Sequence, residues 1–149
     1  MAGTLKVKIQ EDIILDNQDY GSKRVLEIAS INEVMKRIVT CAASQTTTVA
    51  VFNSNAYGAA GAVDIEDSKY IRITNLDSSN AVELAVVGAA TLYQVNLAAG
   101  QSHILGSADG LMLSEADTSP SFGTMADLGS IQVNPGGNAV NVEVFVASA

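Results

Sequence analysis

Apolar and polar residues alternate with a period of two along most of this chain. Val140, Val142, Val144 and Val146 alternate with Asn141, Glu143 and Phe145. Leu5, Val7 and Ile9 alternate with Lys6 and Lys8, and Ile71 and Ile73 with Tyr70, Arg72 and Thr74. Val82, Leu84 and Val86 alternate with Glu83 and Ala85, and Tyr93, Val95 and Leu97 with Gln94 and Asn96. Successive strand side chains point to opposite faces, so each run predicts a strand with one apolar face.

Turn signals separate the runs. The segment NLDSSN follows the strand ending near residue 75. Asn, Asp and Ser bond their own backbone and favour turns. Residues 69–88 therefore read as one β-hairpin, two alternating runs around a polar turn. Ile13 and Leu15 open another run that closes at DNQDYGS. TTTVAVF is a β-branched strand ending in the loop NSNAYGAAGA, AAGQS is a turn, and Ile131 and Val133 precede the strong turn signal NPGGN. Residues 31–42 are ambiguous. Ile31, Val34, Met35, Ile38, Val39 and Ala42 sit at helical spacing, with Ser30 and Glu33 placed for a capping box. The β-branched stretch before Cys41 favours a strand. Leu111 and Leu113 mark one strand inside the loop-rich region 106–129. The count is about nine or ten short strands, spaced as in a sandwich or barrel. The expectation is an all-β antiparallel sandwich forming one domain over residues 1–149. Residues 1–10 form either an N-terminal arm or an edge strand.

Composition narrows the function more than the fold. Charged residues are 16% of the chain, below the usual ~25%, while hydrophobic residues are 48%. Such a surface suits a protein partly covered by partners, or one with a small-residue core. The net charge of −8 repels phosphate backbones and anionic lipid, so neither nucleic acid nor membrane is an expected partner. A lone cysteine, Cys41, forbids an intramolecular disulfide and fits cytoplasmic synthesis. The first ten residues lack the apolar core of a signal peptide.

The chemistry-bearing residues do not assemble into a site. His103 is the only histidine, so no two-histidine metal site exists, and it reads as structural. Cys41 lies in an apolar run without a cationic neighbour pattern, as a buried thiol does. Asp109, Glu115, Asp117 and Asp127 lie in loops without calcium-loop spacing and read as solvated acids. NPGGN lacks the lysine of a phosphate-binding loop. The expectation is no enzyme, no cofactor and no metal. Contact residues remain: Leu5 and Val7 on the N-terminal strand, Tyr57, Tyr93, Phe122, and Phe145 on the face opposite the valine stripe. Phe145 is either an outward contact or covered by another part of the chain.

One longer pattern resembles a known group. It comprises YIRITN at residues 70–75, the VEL strand at 82–84, the LAAGQS turn at 97–102 and the closing VNVEVFVA at 140–147. Together these resemble small structural proteins of tailed phages, especially marine and cyanobacterial ones. The likeness covers the last half to two-thirds of the chain and contains no catalytic signature. It implies a β-sandwich, often a jelly roll, in the virion, made in the host cytoplasm. It further implies a capsid decoration or cement protein on the shell exterior. The partners would be the major capsid protein and copies of the chain itself, as a homotrimer. Alternatives are a tail, neck or fibre-associated virion protein, or a carbohydrate-binding sandwich using Tyr57 and Tyr93.

Overall fold

The computed structural model describes residues 1–55, 61–89, 91–114 and 119–149. Thirteen strands occur among them: β1 (Gly3–Glu11), β2 (Ile14–Leu15), β3 (Gln18–Asp19), β4 (Ser22–Ile31), β5 (Glu33–Cys41), β6 (Thr47–Asn53), β7 (Val63–Asp64), β8 (Ser68–Asn75), β9 (Val82–Gly88), β10 (Leu92–Leu97), β11 (Ser102–Leu105), β12 (Leu128–Asn134) and β13 (Val140–Ser148). Three of these have only two residues, which leaves ten of four or more; among the ten is β4, which no alternating run marked, while the run at Ile13 and Leu15 is only the two-residue β2. In the ambiguous stretch 31–42, Glu33–Cys41 is strand β5, and Ile31 ends β4. Met35, Val39 and Cys41 turn inward while Val34 and Ile38 turn outward.

Two sheets form a sandwich. One has the order β11-β8-β13-β5, the other β10-β9-β12-β6, with the short β7 parallel to β6 at its margin. All other pairings are antiparallel. Among the eight sandwich strands the first pairs with the eighth, the second with the seventh, the third with the sixth and the fourth with the fifth. That is a long double strand, β5-β6-β8-β9 against β13-β12-β11-β10, rolled up so that successive segments alternate between sheets. This strand order is a jelly roll.

The predicted hairpin at residues 69–88 is corrected here. β8 and β9 belong to different sheets, so residues 76–81 arch across the sandwich instead of joining neighbours. Alternation is identical in both cases: Ile71 and Ile73 face Val82, Leu84 and Val86 across the core. The arch is held from within. Asn75 is fully buried, and its amide donates to the carbonyls of Asn80 (2.8 Å) and Leu97 (3.1 Å). Asp77 accepts from the backbone of Ser79 and Asn80.

The strand expected at Leu111 and Leu113 is also corrected. Only an isolated bridge joins Met112 to Ala126, and Met112 is the buried side chain between two half-buried leucines. Ala108 and Met112 plug this end of the sandwich. The Ser68 hydroxyl ties the loop down by accepting from the Ala108 amide at 2.9 Å.

The core lies between the sheets. Val140, Val142, Val144 and Val146 interleave with Leu84, Val86, Leu128, Ile131 and Val133, all at most 1% exposed. Each fully buried aliphatic side chain contributes about 1.5–3 kcal/mol of transfer free energy, so this layer supplies the main stabilisation.

Residues 1–31 stand outside both sheets. β1 pairs with β4, and β2 with β3, as one long ribbon folded at Asp16 and Asn17. Both turn residues have positive φ, 49° and 62°. That is the type I′ turn whose twist matches the flanking strands, and Asp and Asn tolerate it.

Candidate interaction surface

The ribbon base lies on the outer face of the β11-β8-β13-β5 sheet. Leu5, Val7, Ile28 and Ile31 pack there against Tyr70, Phe145 and Ala147, forming a small second core. Tyr70 and Phe145 meet edge to face with centroids 6.0 Å apart. The Arg72 guanidinium sits 5.7 Å above the Phe145 ring and pairs with Glu143 at 2.6 Å. Lys36 approaches the same carboxylate at 3.6 Å. The Arg72 hydrogen bond holds the Glu143 carboxyl below its ordinary range, assisted by the Lys36 charge. Phe145 is thus half-buried under the chain's own ribbon, together with Leu5 and Val7.

Beyond its base the ribbon is bare. Residues 8–27 are all exposed. They include Ile13, Ile14, Leu15 and Tyr20 at the tip, 52%, 76%, 57% and 59% exposed, with Val25 and Leu26 in the stem. Seven of the fifteen exposed large hydrophobic residues among the described ones fall in this twenty-residue segment, so the exposure is concentrated. Ile13 and Leu15 were visible in the sequence as an alternating run. Nothing local shows that no layer covers them. Between stem and sheet lies an apolar cleft of about 320 Å³ bordered by Val7, Ile9, Leu26, Tyr70 and Ile104.

The other contact candidates lie apart. Tyr93 turns inward and its hydroxyl is hydrogen-bonded to His103 Nε2 at 3.1 Å. Phe122 is 80% exposed on a loop residue with φ of 50°. Tyr57, like Glu115 and Asp117, lies outside the described residues. The opposite sheet presents a shallow concavity of about 310 Å³ lined by Glu83, Leu92, Gln94, Gln132 and Asn134, with no aromatic side chain among the described lining residues.

Chemistry-bearing groups are engaged structurally. Burial pushes the Cys41 thiol up and the His103 imidazole down from their ordinary values. Asp127 accepts from the Gly110 amide at 2.9 Å. No group of three or more His, Cys, Asp or Glu placed for a metal occurs among the described residues. Charge is sorted along the chain. All eight Lys and Arg precede residue 73, and the remainder carries seven acids with no Lys or Arg. The cations therefore sit on the ribbon and on β5 and β8.

No family model matches the chain, and no curated protein matches it. Among solved structures it is similar to a chain from the work titled "Bacillus endospore appendages form a novel family of disulfide-linked pili". The identity is 11%, the match covers 76% of this chain and 84% of that one, and the TM-score is 0.42. At that level the likeness carries no functional argument.

Proposed function

We propose that this chain is a virion structural protein, a capsid decoration protein that clamps neighbouring capsid subunits. The observation that carries the reading is the bare ribbon: a hairpin with an apolar tip, standing outside both sheets of the jelly roll. An isolated two-stranded hairpin is marginal in water, and a concentrated apolar patch on a soluble chain marks a contact site. The resemblance of residues 70–75, 82–84, 97–102 and 140–147 to phage structural proteins supports the shell as the location.

The mechanism is binding to a lattice. Each copy contributes a modest contact, and many copies share one closed shell. Binding the assembled lattice but not free subunits stabilises the shell by mass action, about 2.7 kcal/mol per site at a hundredfold excess over Kd. Cosedimentation with emptied, expanded phage heads tests this. The protein is expected to pellet with heads at saturating stoichiometry and to raise their melting temperature. Equally tight binding to isolated capsid protein, or no binding, overturns it. Pelleting with isolated tails instead moves the site to the tail or neck.

A second reading rests on the concavity of the opposite sheet. Its amide side chains Gln94, Gln132 and Asn134 suit sugar hydroxyls, and jelly rolls include lectins. Binding on a glycan array, abolished by Gln94→Ala with Gln132→Ala, would favour it over shell binding.

A further inference from the structure

The ribbon crosses its own sheet from one edge to the other. It starts at Ile31, next to β5, with the Asn32 amide bonded to Ser148 at 3.0 Å. Its base covers Tyr70 and Phe145 on the middle strands β8 and β13. Its stem, at Val7 and Ile9, then reaches Ile104 of β11, the opposite edge strand. The tip at Asp16 lies seven residues further along the ribbon, at most about 23 Å of chain, with Asp12 and Ile13 outside the strands. The stem's course toward β11 carries the tip in the direction away from the chain's own β5.

The outer face of that β5 is open. Val34 and Ile38 point outward, 52% and 61% exposed, and Lys36 lies between them with its side chain 58% exposed. β5 ends its sheet, so one edge of its backbone is also unpaired. The tip matches the two apolar side chains of this lane, and its acids suit Lys36, whose ammonium also approaches Glu143 at 3.6 Å. The tip offers Ile13, Ile14 and Leu15 beside Glu11, Asp12, Asp16 and Asp19, with no cation between residues 9 and 22.

We propose that the ribbon tip of one copy docks on the outer face of β5 in a second copy. Donor and acceptor occupy opposite edges of the same sheet, so the contact is head-to-tail. Such a contact closes into a ring or continues as a filament. The inference is independent of the virion reading: self-association through the arm stands even if heads are ignored.

The test uses the full chain. Leu15→Cys and Ile38→Cys proteins are prepared separately, then mixed and oxidised; native Cys41 is buried. The mixture is expected to give a disulfide-linked dimer at least tenfold more than either protein alone. Light scattering should show a wild-type oligomer at about 100 μM, where a contact with Kd near 10 μM holds most copies together. Ile38→Asp and the double variant Ile14→Ser, Leu15→Ser should each yield monomers with unchanged circular dichroism. A monomeric wild type, an oligomer indifferent to both variants, or cross-linking only between two Leu15→Cys copies overturns the proposal.

Discussion

The Tyr93 hydroxyl and His103 Nε2, 3.1 Å apart, join β10 to β11, the edge strands of the two opposed sheets. The rings meet edge to face at 6.0 Å. At the other open side Arg37 reaches from β5 to the Val49 carbonyl on β6. Each side of the sandwich is thus closed by a polar side chain that crosses between sheets.

Burial at this position makes His103 one acid-sensitive point of the sandwich. Desolvation holds its imidazole below the ordinary value of 6.5. The unfolded chain therefore takes up the proton at a higher pH than the folded one, and stability rises with pH between the two values. The contribution is complete above about 6.5 and is lost as the pH falls through the folded value. Urea midpoints at pH 7.5 and 5.5 should fall for the wild type and fall measurably less for His103→Phe. Equal falls would assign the acid sensitivity elsewhere. Glu143, also depressed, acts in the same direction but below its ordinary 4.5.

Asn75 holds the arch between sheets. Its side chain donates to two carbonyls and accepts from the Asp77 amide at 2.9 Å. Asn75→Ala leaves these groups short of partners in a buried place, a cost of about 2–4 kcal/mol. Ser78→Ala, on the exposed crest of the same loop, should change stability by less than about 0.5 kcal/mol. Urea unfolding of the two variants checks the contrast; similar values would mean the arch is held by its ends alone.

The sandwich was legible because alternation survives wherever a strand has one buried face. The stripe from Val140 to Val146 and the runs at Ile71 and Leu84 lie where the pattern puts them. Pairing was not legible, because alternation states which residues face a core and not which strand lies alongside. Residues 69–88 satisfy the pattern of a hairpin and of an arch equally; the buried Asn75 decides between them, and its burial is a tertiary fact. The same limit hid the surface. Ile13 and Leu15 alternate like core residues, and only the ribbon's departure from the sheets leaves them bare. Phe145 was legible as lying opposite the valine stripe, but its cover comes from strands over a hundred residues earlier.

Cys41 is fully buried in the main core, and burial raises its thiol pKa despite a hydrogen bond with Thr47. The reactive thiolate is therefore scarce and shielded. A thiol reagent should label the native protein at least about a hundredfold more slowly than the urea-unfolded chain, because labelling waits for an opening of the sandwich. Fast labelling of the native state would place β5 among the locally opening elements and weaken its use as a rigid docking face.

The main core contains no residue of the ribbon. The second core joins Leu5, Val7, Ile28 and Ile31 to one face of an already closed sandwich. Removal of residues 1–31 should therefore leave a cooperatively folding jelly roll, since its pairings and its inner layer are complete without them. The loss should be that of a peripheral cluster, and uncovering Tyr70 and Phe145 should lower solubility. Phe145→Ser combined with the deletion restores solubility if the exposed rings are the cause. Near-ultraviolet circular dichroism and urea unfolding check the fold, and a single sharp transition is expected. A molten or unfolded deletion protein would show instead that the ribbon is part of the folding unit.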